Sequence, residues 1–213
     1  MPETMTVSYE LFKFEELEDS AKETARDWWR ACDDSDDYCE YEDFARMGAI
    51  LGIEFSDREI PLMNGSTRKE PTVYWSGFSS QGDGACFEGS YSYAKGSQKA
   101  IRAEAPSDER LHQIADDLFA AQSDYFFSLE ASVRHSGHYY HSGCTEIRVI
   151  DGRDDWDAAA EAHEAIAEAL RDFMNWMYRQ LEAEHDYRRA DEQVDEAITM
   201  NEYTFDEDGN RKD

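Results

Sequence analysis

An α+β fold is predicted for this 213-residue chain: an antiparallel sheet of two hairpins, covered by N-terminal helices and one long C-terminal helix. Three observations lead there. Apolar residues recur at helical spacing near both ends. Between them, half-alternating aromatic runs flank turn-rich segments, which is a hairpin signal. Helices at both ends with hairpins between them make a layer in which one sheet face is covered.

The first helix is expected over residues 15–31, where Leu17, Ala21, Ala25, Trp28 and Cys32 share a face. A second starts near Tyr41, carries Phe44, Met47 and Leu51, and stops at Gly52. Ile53-Glu54-Phe55 begins the sheet. Residues 72–78 and 85–93 flank Ser79-Ser80-Gln81-Gly82-Asp83-Gly84 and form the first hairpin. A short helix over 97–103 precedes one opened by Pro106 and Ser107, with Ser107 as N-cap. That helix carries Leu111, Ile114, Leu118 and Ala121. The second hairpin spans 125–150, with Phe127, Leu129, Ala131 and Val133 alternating against a return over 145–150. The longest helix is capped by Asp154 or Asp155 and runs to about residue 184, with Ile166, Leu170, Phe173, Met177 and Leu181 as its apolar seam. A helix over 189–200 and a polar tail follow. The whole, 1–213, reads as a single domain with 187–213 peripheral.

Five Trp, twelve Tyr and eleven Phe, with 40% hydrophobic residues, supply a core. The charge is lopsided. Asp and Glu total 49 against 21 Lys and Arg, a formal net charge of -28. Such self-repulsion destabilises a compact state. It suits either a basic partner or a salty cell, and the split of six Lys to fifteen Arg keeps salt adaptation open. Nucleic acid is disfavoured as a direct ligand, because binding it means neutralising phosphates with Lys and Arg. No apolar stretch approaches a membrane span, and the start of the chain shows no signal-peptide pattern. Cys32, Cys39, Cys86 and Cys144 make no paired zinc-ligand spacing. They read as free thiols in a reducing cytoplasm.

Two acidic clusters are candidate partner-binding residues. Asp33, Asp34, Asp36, Asp37, Glu40, Glu42 and Asp43 crowd one connector without a base among them. They fail the calcium-loop pattern, since Tyr38 and Phe44 stand where Gly and Glu are required. On the long helix, Glu161, Glu164, Glu168 and Asp172 recur opposite the apolar seam. Steps of three and four residues separate them by about 4.5 to 6 Å along the axis. Phosphates along one nucleic-acid strand follow at roughly 6 to 7 Å. A solvated face is the bland alternative for both clusters. His135, His138 and His141 resemble a metal comb, but a hairpin tip aligns nothing at that spacing, so neither metal nor cofactor is expected. Ser79, Ser80 and Cys86 lack an identifiable base and orienting group. The glycines at 82 and 84 belong to a turn, without the Gly-Lys-Ser/Thr ending of a phosphate loop.

Four stretches carry a resemblance: Ala21-Lys22-Glu23-Thr24-Ala25-Arg26-Asp27-Trp28-Trp29, Gly77-Phe78-Ser79-Ser80-Gln81-Gly82-Asp83-Gly84-Ala85-Cys86-Phe87-Glu88-Gly89, Gly137-His138-Tyr139-Tyr140-His141, and Leu170-Arg171-Asp172-Phe173-Met174-Asn175-Trp176. On these the chain resembles a widespread family of uncharacterised bacteriophage and prophage proteins, some labelled antitoxins of a toxin–antitoxin stability system. The resemblance implies a phage-encoded accessory protein acting in the host cytoplasm and supplies no catalytic residues. Joined to the charge, it points to an anti-defence inhibitor of anti-CRISPR or anti-restriction type. Its expected partner is a protein or nucleoprotein complex with a basic surface, bound by an acidic mimic. A homodimer remains compatible. The alternatives are an antitoxin-like module that masks a toxin, and a hydrolase using Cys86 or Ser80.

Overall fold

The computed structural model describes residues 10–32, 41–63, 65–153 and 156–212. A two-residue strand, β1 (Phe12–Lys13), and a 3-10 turn (Phe14–Glu16) lead to α1 (Asp19–Cys32) and α2 (Tyr41–Leu51). The strands β2 (Ile53–Phe55), β3 (Asp57–Pro61), β4 (Thr67–Pro71), β5 (Val73–Ser76), β6 (Gly84–Phe87) and β7 (Gly89–Ser92) follow. Next come α3 (Ser97–Glu104), α4 (Glu109–Ser123), β8 (Leu129–His135), β9 (Thr145–Asp151) and β10 (Trp156–Asp157). The chain closes with α5 (Ala160–Arg189), α6 (Asp191–Met200) and β11 (Thr204–Phe205). The predicted α+β class is the observed one. Contacts group the chain into two compact units, Cys39–Glu182 and Met1–Tyr38 with Ala183–Asp213.

The larger unit is built on a five-stranded antiparallel sheet ordered β10-β9-β8-β7-β2. The expected second hairpin is β8 with β9, in register from Leu129↔Asp151 to His135↔Thr145. Leu129, Ala131, Val133, Ile147 and Val149 are buried on one face, while Glu130, Ser132, Arg134, Glu146 and Arg148 face solvent. The period of two explains this split. The apolar seam of α5, Ile166, Leu170, Phe173, Met177 and Leu181, is completely buried. Phe173 reaches Phe87 at 6.2 Å and Phe55 at 6.4 Å between ring centroids. Asp154 and Asp155, the expected caps of this helix, lie outside the described residues. The helix itself begins only at Ala160, because Trp156 and Asp157 pair with β9.

The first predicted hairpin is half right. β5 pairs with β6 about the expected turn, but β7 leaves to pair with β2 and β8. The change of partner occurs at a ring of three backbone hydrogen bonds. Thr72 N–H donates to Ser56 O (2.7 Å), Ser56 N–H to Glu88 O (2.8 Å), and Glu88 N–H to Thr72 O (2.9 Å). Three strand pairs, β2 with β7, β3 with β4 and β5 with β6, diverge from that point. No backbone group at the junction is left unpaired in this arrangement, which offsets the loss of a continuous ladder.

Other boundaries shift for local reasons. The cap of α4 is Asp108, whose carboxylate accepts from Leu111 N–H, and not Ser107. The strand β8 begins at Leu129, so Phe127 lies outside it with a left-handed φ of 61°. Between them the buried Gln122 side chain pairs with both backbone groups of Leu129, accepting from its N–H (3.0 Å) and donating to its carbonyl (2.7 Å).

In the smaller unit, α1 starts at Asp19, and Leu17 is buried from the preceding turn. Phe14, Leu17, Ala21, Ala25, Val194, Ile198 and Phe205 form its core. β1 pairs with β11. Trp28, which the sequence places on the apolar face of the first helix, is only half-buried. It packs edge-on against Tyr203 and Phe205, with the Arg211 guanidinium 4.9 Å from its ring centroid.

Candidate functional site

The acidic row on α5 is the cleanest charged feature. Glu161, Glu164 and Glu168 are exposed, and none has an ion-pair partner among the described residues. Their spacing keeps them within one side of a 3.6-residue helix, opposite the buried seam. Many arginines are engaged elsewhere: Arg26 with Asp195, Arg30 with Asp191, Arg46 with Glu104 and Arg102 with Asp116. Asp172, the fourth predicted member, departs from the row. It is half-buried and pairs with Arg110 at 2.5 Å, which neutralises it.

Of the connector cluster, Asp33, Asp34, Asp36, Asp37 and Glu40 lie outside the described residues. Glu42 is exposed, and Asp43 pairs with Arg46 at 2.6 Å. The α2 helix carrying them packs Phe44 against Trp176. Trp176 is eight residues beyond Glu168, about 12 Å of helix rise.

A second concentration of side chains was missed by spacing arguments. The turn after β5 and the tip of the β8–β9 hairpin pack together. A Cβ on Gly82 would stand 2.4 Å from the Tyr139 ring, and one on Gly84 would stand 2.5 Å from His141 Cα. Asp83 holds the turn by accepting from the N–H groups of Ser79 (2.9 Å) and Ser80 (2.6 Å). α5 joins them: Ser142 Oγ donates to Asn175 Oδ1 at 2.8 Å, and Phe78 stacks between Trp75 and Tyr178. Residues from three of the four stretches singled out in the sequence, 77–89, 137–141 and 170–176, thus meet in one place.

A family model described as a domain of unknown function, DUF8835, matches residues 37–191. The chain belongs to the DUF8835 family. No curated protein and no solved structure matches it. The DUF8835 match spans the five-stranded sheet, the acidic row of α5 and both packed loops. All seven core residues of the smaller unit, Phe14 to Ala25 and Val194 to Phe205, lie outside it.

Within the DUF8835 region the candidate nucleophiles differ in setting. Cys86 is fully buried, and burial pushes its thiol up to about 12, so it stays protonated. Ser80 is exposed, and no base is hydrogen-bonded to its hydroxyl among the described residues. Cys144 lies 3.5 Å from His141 Nε2. However, His141 Nδ1 accepts from Gly143 N–H at 3.1 Å. A neutral ring in that setting carries its proton on Nε2 and presents a donor to the sulfur, not a base. The histidines of the comb are engaged separately, His135 with the Tyr139 carbonyl and His138 against the Tyr139 ring. Among the described residues no three His, Cys, Asp or Glu side chains are grouped to hold a metal ion. No helix among them is long and apolar enough to cross a membrane.

Proposed function

We propose that this chain is a binding protein that lays the acidic face of α5 against a basic protein or nucleoprotein surface, as a mimic of nucleic acid. The observation that supports it is the row Glu161, Glu164 and Glu168, exposed on one face and unpaired among the described residues. A basic groove that gathers nucleic acid steers an acidic protein by the same field. The resemblance to phage proteins gives the reading its specific form. The partner is a host defence complex, of restriction or CRISPR type, met in the host cytoplasm.

The test combines phage plating with binding. A host carrying an active restriction or CRISPR system is infected with and without the protein, and the purified effector is titrated at rising salt. Wild type raises plating, and its affinity falls steeply with salt. The variant Glu161→Gln/Glu164→Gln/Glu168→Gln stays folded and loses both effects. Affinity that is flat between low and moderate salt, or full inhibition by the triple variant, overturns the reading. Relief of a neighbouring gene's toxicity, with no effect on plating, would move the partner to a toxin. Unfolding compared with and without molar salt separates mimicry from salt adaptation.

A further inference from the structure

The end of the sheet next to the α5 N-terminus presents two large aromatic rings to water. Phe126 is 79% exposed and Trp156 is 76% exposed. They gather around Asp151. Trp156 is the β-sheet partner of Asp151, and Arg153 donates to the same carboxylate while lying 5.2 Å from the Phe126 ring centroid. Ser128, two residues after Phe126, donates to Asp151 as well.

Phe126 stands in a conformation that disfavours it. Phe127 N–H donates to Gln122 O at 3.0 Å, the six-to-one bond that closes a helix C-terminus. The residue that turns left-handed inside such a bond is usually glycine, because a Cβ there crowds the backbone. Here Phe126 has φ 55° and Phe127 φ 61°. Phe127 gains packing for this, with its ring 4.4 Å from Tyr93 and 5.5 Å from Phe119. Phe126 combines backbone strain with an apolar ring left in water. Residues held in such conformations cluster at binding and switch sites.

We infer that Phe126 and Trp156 are the apolar anchor of a protein-docking surface whose partner is a basic protein carrying an apolar socket. The sign of the partner's charge rests on the acidic-face reading above. Glu161, the first carboxylate of the unpaired row, follows Trp156 by five residues, in the first turn of α5. Aromatic residues are enriched in the cores of protein interfaces, inside a polar rim. A second copy is the wrong occupant, because two chains of net charge -28 would bring like charges together.

The test uses two probes, poly-L-lysine and a random copolymer of lysine and phenylalanine, with the full chain. Wild type binds the copolymer about tenfold more tightly than poly-lysine, a difference of about 1.4 kcal/mol. Phe126→Gly and Trp156→Ala lose that preference and keep the poly-lysine affinity. Phe126→Gly also melts no lower than wild type, since glycine takes the left-handed position freely. Equal binding of both probes by wild type, or a preference that survives in Phe126→Gly, overturns the inference. So does a drop in melting temperature of Phe126→Gly beyond about 5 °C, which would make the ring structural. Concentration-dependent self-association that Phe126→Gly abolishes would assign the surface to a second copy. The acidic-face reading fails by a separate outcome, poly-lysine affinity unchanged in Glu161→Gln/Glu164→Gln/Glu168→Gln.

Discussion

Trp176 and Asp108 tie α5 to the start of α4. The indole N–H of Trp176 donates to Asp108 Oδ2 at 2.7 Å, while Asp108 Oδ1 accepts from Leu111 N–H at 3.0 Å. One carboxylate both caps a helix and satisfies a buried indole. Asp108→Ala loses a cap of about 1 kcal/mol and strands the indole N–H for about 1 to 3 more. Chemical denaturation should therefore show a loss of about 2 to 4 kcal/mol. Asp108→Asn should lose less, because an amide oxygen still caps, and Ser107→Ala should stay within about 0.5 kcal/mol. Equal stability of all three would show that the carboxylate bridge contributes nothing.

The three-way strand junction makes a second prediction at Gly89. A Cβ there would stand 2.1 Å from Glu54 O, with the Phe55 backbone at 3.0 Å. Both obstacles are main chain of the paired strand β2, so neither can rotate away. Gly89→Ala should push β7 from β2 and lower stability by more than the average substitution, about 1 kcal/mol. Gly96→Ala is a useful contrast, because it meets only an unfavourable φ of 86° and open space. Denaturation of the two variants side by side checks the order, and a milder effect at Gly89 would contradict the junction geometry.

The same junction explains what the sequence could not disclose. The second hairpin was legible because Leu129, Ala131 and Val133 alternate cleanly with polar residues. The α5 seam was legible because five large apolar residues repeat at helical spacing. Strands β3 and β4, Asp57–Pro61 and Thr67–Pro71, escaped because they are mostly exposed and carry no apolar alternation. The partner exchange at Glu88 escaped because it is made by backbone groups, which no side-chain pattern reports. For the candidate sites, the exposed carboxylates followed from helical periodicity. The pairing of Asp172 with Arg110 did not, since Arg110 lies on another helix. Phe126 had one available signal: Tyr125-Phe126-Phe127 places three aromatics in succession, and a strand cannot bury all of them on one face.

The two sides of α5 should respond oppositely to substitution. Phe173 is completely buried, stacked on Trp176 at 5.5 Å and close to Phe55 and Phe87. Phe173→Ala leaves a cavity among rings that cannot collapse into it and should cost about 3 to 5 kcal/mol. Glu164→Gln, exposed and unpaired, should change stability by less than about 0.5 kcal/mol. Thermal unfolding of the pair measures both. A stable Phe173→Ala would place the core elsewhere than on this seam.

The C-terminal turn should be acid-labile through Asp206. Its carboxylate accepts from Lys212 Nζ at 2.9 Å and from the backbone N–H groups of Asn210 (2.9 Å) and Asp208 (3.1 Å). The Lys212 contact first, and the Asn210 N–H next, hold the group down to about 2. An unfolded Asp titrates near 3.9. The folded value is the lower one, so this contribution is complete above about pH 4 and fades as pH falls toward 2. The Asn210 amide, whose acceptor is that carboxylate, should lose hydrogen-exchange protection through the same window. Lys212→Ala removes the largest cause and should move the loss of protection to higher pH. Asp206→Asn abolishes the titration, so its Asn210 amide should show no pH dependence in that range beyond the intrinsic exchange rate. If Asn210 keeps the same protection at pH 2 as at pH 6 in the wild-type chain, Asp206 does not hold the turn.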